Sequence, residues 1–371
     1  MQSNILWPVK SDFPRLQKNI HADIAVVGGG IAGISCAYFL KQKGYKVVIV
    51  EKDEIGSGAT GASSGILYHG SGTDFTETAK SMGRKNAELL WNESMHSIDE
   101  IERLVRRNSI DCNFRKITAL AAAKDKNEVQ YLEKESEALR KIGFQGKIID
   151  DEEIKKYFAK SSFLTAMKLE CNQIIPARFA YNLAKLADIE VYQNTEMLEL
   201  DLDEPVVKTT GASISCDNVI IATNLKPLFG LEKHFHQENS VIAASQKIDS
   251  MKNIWKEDAV IWTLEDHYDI IYAEEGRLFL ELYSPKGIDE KLKQYYPGIN
   301  FQKSLWGDSW SKTNDWLPIA GKVGKNISVA VAMGDQGIVM GFTVGRKIAS
   351  LIEGKKDKFL DSASPQRFDE K

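Results

Sequence analysis

The sequence has little of what marks several large classes of protein. Its four cysteines lie far apart, so neither a cysteine zinc site nor a disulfide framework is indicated, and a reducing compartment is expected. The net charge is only −4, which argues against nucleic acid or an anionic membrane as the main partner. A basic segment followed by an apolar one is missing from the N-terminus, and the most apolar run is too short to span a membrane. We therefore expect a cytoplasmic protein with a small-molecule substrate, no nucleic-acid partner and no membrane span.

The sequence does have the composition of an ordinary globular protein. Its 371 residues are 43% hydrophobic and 27% charged, which allows one large domain or two closely packed ones. A core of this size supports itself without metal or disulfide cross-links, so we expect no metal site.

A β-α-β unit is evident near the start of the chain. The apolar runs DIAVV and KVVIV predict two buried parallel strands, and the segment between them has helical spacing. Gly28, Gly30 and Gly33 form a GxGxxG motif at the first turn, where glycine permits close approach of the backbone to a pyrophosphate at a helix N-terminus. Glu51 ends the second strand, where it can accept hydrogen bonds from a ribose and disfavours a 2′-phosphate. The unit predicts a site for NAD or FAD.

A segment of small residues, GSGATGASSG, follows this unit directly and precedes the apolar ILY. An NAD enzyme needs no such segment there, whereas a flavin enzyme must carry a longer cofactor past the sheet edge to a buried ring. Small side chains and free N–H groups let backbone lie against that cofactor. The segment therefore favours FAD, and a flexible surface loop is the alternative.

The remaining segments predict a discontinuous arrangement. Residues 77–107 have helical periodicity, IEVYQNTEMLEL resembles one strand, and SVIAASQKI, AVIWTL, YDIIYA and RLFLELY are strands close enough in sequence for an antiparallel sheet. The predicted fold class is α/β (α+β overall), with a Rossmann-type FAD-binding domain interleaved with an antiparallel-sheet substrate domain. We assign the FAD-binding domain to residues 1–85, 155–228 and 312–371, and the substrate domain to residues 86–154 and 229–311.

Together these motifs resemble the flavin amine oxidoreductases of the D-amino-acid oxidase superfamily, which includes glycine oxidase, sarcosine oxidase and γ-glutamylputrescine oxidase. The resemblance runs almost end to end, through VVGGGIAGISCAYFLKQKGYKVVIVEK, GSGATGASSG, IIPARFAYNLAKL, DNVIIATN, TNDWLPIAG and VAVAMGDQGIVMGFTVGRKIASLIEG. It implies a flavoprotein oxidoreductase that oxidises the C–N bond of an amine or N-substituted amino acid by hydride transfer to flavin N5.

The resemblance also implies which residues hold the cofactor. The small-residue segment would contact FAD, a strand near Met197 would hold the adenine, and the loop before the last helix would face the flavin N1–C2=O edge, where a helix N-terminus favours the reduced cofactor. The predicted FAD-binding residues are Gly28, Gly30, Ile31, Ala32, Gly33, Glu51, Lys52, Ala59, Thr60, Gly61, Ser63, Ser64, Gly65, Met197, Ala222, Thr223, Gly334, Asp335, Gln336, Gly337 and Ile338.

Four residues are candidates for the catalytic site. Tyr268 is the first choice, because its strand aligns with one that brings a tyrosine over the flavin in the family. Tyr283, Trp310 and His69 are weaker candidates. Packing in the core is the alternative role for each aromatic residue.

The chain departs from the family where amino-acid-using members carry an arginine for the substrate carboxylate. Trp310 stands near that position, and the loop before the last helix is short and lacks a second arginine. A free amino acid is therefore a less expected substrate, unless a nearby basic residue such as Lys312 or Arg277 binds the carboxylate in place of the arginine.

Other departures concern the flavin itself. Asp308 and Ala62 stand where members with a covalent flavin have cysteine or histidine, so FAD is expected to be non-covalent. Phe279 stands near the position at which sarcosine oxidase carries a lysine that assists its reaction with oxygen. The electron acceptor is therefore not predicted. Two alternatives remain open: a tRNA-modification flavoprotein of the same fold, suggested by SSGILYHG, and a flavin-bound non-catalytic or electron-relay subunit of a hetero-oligomer. The oligomeric state is not predicted.

Overall fold

The computed structural model describes residues 9–70, 72, 74–159, 161–201, 204–226, 229–264, 269–283, 286–299 and 304–369. Its strands are β1 Ile20–Val27, β2 Val47–Val50, β3 Ile66–Leu67, β4 Arg115–Ala123, β5 Lys147–Asp150, β6 Thr165–Gln173, β7 Glu190–Tyr192, β8 Met197–Asp201, β9 Val206–Thr209, β10 Ser213–Ile221, β11 His236–Ala244, β12 Ala259–Thr263, β13 Ile270–Glu274, β14 Arg277–Leu282, β15 Ser304–Lys312, β16 Ile319–Lys322 and β17 Ile327–Val331. Its α-helices are α1 Ile31–Lys41, α2 Ala59–Ala62, α3 Phe75–Met82, α4 Arg84–Asn108, α5 Lys126–Lys141, α6 Asp151–Ile154, α7 Pro176–Leu186, α8 Ile288–Tyr295, α9 Gly337–Ile352 and α10 Lys358–Ala363. Short 3-10 turns cover Leu231–His234, Met251–Asn253 and Pro365–Phe368.

The first sheet is built around the predicted β-α-β unit. Its strands run in the order β16-β17-β10-β1-β2-β7, with β9 and β8 added beside β10. The pairs β1–β2, β1–β10, β10–β17 and β2–β7 are parallel, and all four residues of β2 are buried, as a strand covered on both faces requires.

Helices α1 and α9 pack closely against each other beside this sheet. A Cβ added to Gly345 in α9 would lie 2.5 Å from Cβ of Ser35 in α1, and one added to Gly341 would lie 2.9 Å from Ile31 Cγ2. The two glycines therefore let the helix backbones approach more closely than any side chain would allow. The contact fixes the starting point of one helix relative to that of the other.

The second sheet has the strand order β15-β11-β14-β13-β12-β4-β6-β3, with β5 also paired to β6. The pairs among β11, β14, β13 and β12 are antiparallel, as predicted, and β12 continues the sheet through a parallel pair with β4. Strand β3 directly follows the small-residue segment and pairs with β6. This pairing attaches the end of that segment to the second sheet.

Two elements differ from the sequence-based expectation. The helix expected over residues 77–107 is divided into α3 and α4 by Gly83, whose φ of 80° lies outside the helical region. The single strand expected between residues 189 and 200 is divided into β7 and β8, with Asn194 at φ 51° in the break. Both breaks occur at residue types that adopt positive φ at low cost. Strands β3 and β6 lie within the residues assigned to the FAD-binding domain, but they pair within the second sheet. The domain boundaries stay a prediction.

Two features are absent from the described residues. Within them no helix is both long and apolar enough to cross a membrane. Within the same ranges no three His, Cys, Asp or Glu side chains are grouped so that they could hold a metal ion.

Candidate active site

The three motif glycines have different structural roles. A Cβ on Gly28, whose φ is +113°, would lie 2.4 Å from the Ala222 carbonyl oxygen, and one on Gly33 would lie 2.0 Å from the Gly28 oxygen. Both positions therefore require glycine for the fold itself. Gly30 has an ordinary φ of −79°, and the nearest atom to its Cβ would be Thr60 Oγ1 at 3.3 Å. Gly30 thus leaves open space where the backbone could approach a ligand.

Glu51 is fixed by the backbone beside this turn. Its Oε2 accepts a hydrogen bond from the Gly29 N–H at 2.7 Å, and its Oε1 accepts one from the Asp53 N–H at 2.9 Å. Burial raises the pKa of Glu51, with the two N–H donors acting in the opposite direction. Lys52 points away, with its Nζ 2.8 Å from the Asp53 carboxylate. The geometry holds one carboxylate at the end of β2, as the motif predicts.

A large pocket starts at this turn and is bounded by residues of both sheets. It contains about 1310 Å³ of empty space, including its open mouth, and lies at the carboxyl ends of β1, β10 and β17. The pocket brings together sixteen of the predicted residues: Gly30, Ile31, Ala32, Ala59, Thr60, Ser63, Ser64, Ala222, Gly334, Asp335, Gln336, Gly337 and Ile338 from the cofactor set, and His69, Tyr283 and Trp310 from the catalytic set.

The other predicted cofactor residues do not line the pocket. A Cβ on Gly65 would lie 2.0 Å from the Ile174 oxygen, so this glycine serves the packing of the segment against β6. Thr223 donates its hydroxyl to the Lys226 carbonyl, and Met197 begins the edge strand β8. The full set outside the lining is Gly28, Gly33, Glu51, Lys52, Gly61, Gly65, Met197 and Thr223.

The segment before α9 forms one hydrogen-bonded unit with the pocket wall. The Tyr283 hydroxyl donates to Asp335 Oδ1 at 3.0 Å, and Gln336 Nε2 donates to Asp335 Oδ2 at 3.2 Å. Gln336 Oε1 in turn accepts from the Tyr68 N–H at 3.1 Å. Burial raises the pKa of Asp335, and the two donors act to lower it. The first turn of α9 is thereby connected to both the second sheet and the segment after β3.

His69 lines the pocket and packs against aromatic rings. Its ring centroid is 4.9 Å from that of Tyr68 and 4.8 Å from that of Phe144, and the Tyr68 ring lies 5.0 Å from Trp262. Its Nδ1 is buried and has no hydrogen-bond partner among the described residues. Burial lowers the pKa of His69 to about 4, so the imidazole is neutral at neutral pH.

The buried His69 predicts a pH-dependent difference in stability. An unfolded histidine titrates near 6.5, so between about pH 4 and pH 6.5 the unfolded chain binds a proton that the folded chain does not. Stability from this group is therefore complete above about pH 6.5 and falls as the pH drops towards 4. We expect the free energy of unfolding to fall over this range by roughly 3 kcal/mol more in the parent protein than in His69→Phe. Urea unfolding of both apoproteins measures it, and equal pH slopes would contradict the burial of His69.

The position aligned with the family arginine is aromatic in the structure as well. The Trp310 side chain is 7% exposed, and its ring centroid lies 6.1 Å from that of Tyr283. Lys312 forms an ion pair with Glu238 at 2.9 Å and lies over the Trp316 ring at 4.6 Å. Of the residues that the structure describes, no arginine or lysine lines the pocket.

Arg277 and Tyr268 were the other two residues considered for the substrate site. Arg277, at the other end of β14 from Tyr283, donates to the Ser245 carbonyl at 2.8 Å. Tyr268, the first catalytic candidate, lies outside the described residues.

Sequence reasoning missed several lining residues, including Tyr68, Asp74, Asn224, Trp262 and Glu281. Asp74 is the N-cap residue of α3, and its Oδ2 accepts from the Tyr131 hydroxyl at 2.7 Å. Glu281 lies within the apolar run LFLEL of β14 and is 8% exposed. A single acid in a strand of buried apolar residues is the signal that could have identified it.

The residues present fit an FAD. The Gly30 backbone leaves a cradle that a Cβ would fill, and the adjoining wall consists of small residues from α2 and the segment after it. The helices α1 and α9 both begin at the pocket, where their N-terminal N–H groups favour anionic or electron-rich ligand atoms.

Comparisons with known proteins agree with this assignment. A curated relative, γ-glutamylputrescine oxidoreductase of Escherichia coli strain K12, is 25% identical, with 94% of this chain and 87% of the relative covered. The probable oxidoreductase OrdL of Haemophilus influenzae is 28% identical over 57% of this chain, which spans only about half of that protein, 51%. The crystal structure of glycine oxidase from Geobacillus kaustophilus superposes with a TM-score of 0.75 at 20% identity, covering 93% of this chain and 98% of the other, which supports the fold alone.

The family model described as DAO, FAD dependent oxidoreductase, matches residues 23–351. This match covers most of the chain and confirms the resemblance, the predicted fold class and the predicted cofactor. The chain therefore belongs to the DAO family of FAD-dependent oxidoreductases, and FAD is its cofactor.

Proposed function

We propose that this oxidoreductase oxidises the C–N bond of a small amine. The observation that carries the proposal is the charge of the pocket wall. Asp74, Glu281 and Asp335 line it, and no basic side chain of the described residues does. Such a wall favours a cationic or neutral amine and disfavours a carboxylate. Two of the relatives are named for glycine and γ-glutamylputrescine as substrates, which supports a nitrogen compound.

FAD, when bound, supplies the two-electron oxidation of the carbon–nitrogen bond. The amine must first lose its proton, because the nitrogen lone pair assists oxidation of the adjacent carbon. His69 lines the pocket as a neutral imidazole, because burial lowers its pKa to about 4, and it therefore adds no charge beside the amine.

The aromatic residues of the pocket wall also contribute to this mechanism. Trp262, Tyr283 and Trp310 present apolar rings to the pocket, which excludes water around the reacting nitrogen. Tyr283 is held in place by its bond to Asp335. Orientation of the substrate in a dry site is the main contribution expected from the chain itself. The imine product is then hydrolysed by water to a carbonyl compound and ammonia or a smaller amine.

A screen of small amines tests the proposal. We expect the purified protein to be yellow, to release intact FAD on denaturation because the cofactor is non-covalent, and to reduce an artificial electron acceptor when an amine is added. Anaerobic bleaching of the flavin by the same amine separates oxidation from reoxidation. A protein that retains FAD and is bleached by none of a broad panel of amines would instead favour a non-catalytic or electron-relay flavoprotein subunit.

A further inference from the structure

We propose that Gln173 is a positioning residue for FAD that acts from outside the pocket lining. Its amide holds the Ser64 carbonyl, Arg115 orients that amide, and the peptide group after Ser64 in turn places the Ser63 hydroxyl for the cofactor. These residues act on the cofactor that the family match establishes, so their role is independent of the substrate that is oxidised.

Gln173 occupies a position where its strand calls for an apolar residue. Side chains alternate along β6, and the buried residues that precede it on the same face are Met167, Leu169 and Cys171. Gln173 ends this row and is only 1% exposed. A buried amide costs free energy unless its donor and its acceptor are both hydrogen-bonded, so its partners explain why it is tolerated there.

Both ends of the Gln173 amide have a partner, and the two partners differ in kind. Its Oε1 accepts a hydrogen bond from Arg115 Nη2 at 2.6 Å, and its Nε2 donates to the Ser64 carbonyl oxygen at 3.4 Å. A guanidinium has donors only, so the amide group that faces it must be the oxygen. The NH₂ group is then directed at the Ser64 carbonyl. Arg115 therefore decides which end of the amide reaches the segment that lines the pocket.

Arg115 is itself held in place by acidic residues. Its Nη1 donates to Asp258 Oδ1 at 2.9 Å, and its Nη2 lies 3.4 Å from Glu274 Oε2. Glu274 Oε1 also accepts from Asn113 Nδ2 at 2.7 Å. Burial raises the pKa of Glu274, and the charge of Arg115 acts to lower it. One buried carboxylate and one exposed carboxylate thus hold the guanidinium where β4 begins and β13 ends.

The bond to the Ser64 carbonyl extends an attachment that the backbone begins. The Ile174 N–H donates to the Gly65 carbonyl at 3.0 Å, and β3 pairs with β6 from Ile66 opposite Gln173. These contacts tie the two residues after Ser64 to the second sheet. Ser64 itself lines the pocket. Gln173 therefore carries the attachment one residue further, to a peptide group of the pocket wall.

That peptide group connects the attachment to a polar side chain of the pocket. Its carbonyl accepts from Gln173, and its N–H, which belongs to Gly65, donates to Ser63 Oγ at 3.2 Å. Hydrogen bonds at the two ends of one peptide group strengthen each other. Because Ser63 Oγ accepts this bond, its own proton can be donated to an acceptor atom in the pocket that Ser63 lines. The phosphates, hydroxyls and ring carbonyls of FAD are such acceptors.

Titration of FAD back into the apoprotein tests the role of Gln173 directly. Gln173→Glu keeps the size and an acceptor for Arg115, but it removes the N–H that the Ser64 carbonyl accepts. We expect the FAD Kd of this variant to rise about tenfold or more, because two acceptors then face each other. Gln130→Glu, on the exposed side of α5, makes the same change in net charge and should keep the parent Kd. Urea unfolding of each apoprotein separates loss of FAD from loss of fold.

A double-mutant cycle tests the link between Arg115 and Gln173. Arg115→Gln alone should also raise the FAD Kd, because the Gln173 amide then loses the donor that orients it. In a Gln173→Leu background the same substitution should have no further effect, because the amide through which it acts is absent. A purely structural role of the two residues would instead give losses that add. Additive losses would therefore overturn the proposed link.

Two further results decide against the proposal. A Gln173→Glu protein with the parent FAD Kd would show that the Nε2 hydrogen bond does not position the cofactor. If the Gln173 variants do not fold, Ser63→Ala replaces them, since it removes one hydroxyl from a partly exposed residue. We expect its FAD Kd to rise about tenfold. The parent Kd in Ser63→Ala would overturn the proposal, because Gln173 would then have no group to position.

Discussion

The Gly30→Val protein is expected to be purified without flavin. Gly30 has an unstrained φ of −79° and lies at the start of α1, so the substitution is compatible with the backbone. Its Cβ would already lie 3.3 Å from Thr60 Oγ1, and the two methyl groups beyond it would enter the pocket. Overpacking of this kind costs about 1–3 kcal/mol, and the close backbone approach to the pyrophosphate is lost as well. Absorbance of the purified protein and its FAD content after denaturation measure the effect.

The control for this substitution is Gly58→Val, in the same region of the chain. Gly58 is exposed, and nothing lies within 4 Å of the position of its Cβ, so its flavin content should stay at the parent level. Circular dichroism of both variants separates loss of cofactor from loss of fold. Stoichiometric FAD in Gly30→Val would mean that the pyrophosphate does not lie at this turn.

Amines are expected to reduce the flavin about a thousandfold faster than their α-carboxylated counterparts at low substrate concentration. The carboxylate would be buried beside Glu281 and Asp335, and no described lining residue supplies a positive charge. Burying an unpaired carboxylate costs on the order of several kcal/mol, and each 1.4 kcal/mol corresponds to about a factor of ten in capture. Stopped-flow reduction by n-butylamine and by either enantiomer of norvaline, its α-carboxylated form, gives the ratio directly.

The control for the comparison of n-butylamine with norvaline is a variant with one acidic side chain fewer in the pocket wall. Glu281→Gln removes one of the repelling carboxylates, so the disadvantage of norvaline should become smaller in this variant. A tenfold preference of the parent protein for norvaline would show that a cation holds the carboxylate, and our interpretation of Trp310 would be wrong.

The nucleotide half of the site could be predicted from the sequence because local backbone constraints determine it. Gly33 is required by a contact within one strand-helix turn, Gly28 has a positive φ in that turn, and Glu51 ends the strand beside it. Such requirements appear as fixed residue types at fixed spacing. The small-residue segment could be interpreted for the same reason, although the short helix α2 within it was not foreseen.

The substrate half could not be predicted in the same way. Glu281, Trp262 and Tyr68 meet only through the register of β14 with β13, the order of the second sheet and the path of the chain after β3. None of these is encoded in the spacing of a motif. The absence of the family arginine was inferred from an alignment around Trp310, and it stays a prediction.

The glycine contact between α1 and α9 has a consequence for the choice of cofactor. Because Gly341 and Gly345 place the α9 backbone directly against Ile31 and Ser35 of α1, a shift of one helix along the other would bring other side chains into this close contact. The two helix starts, at Gly30 and Gln336, are therefore held a fixed distance apart at one pocket. A ligand long enough to reach both helix starts can interact with each of them, whereas a shorter ligand that reaches only one cannot. The packing of the two helices therefore favours a long cofactor over a short one.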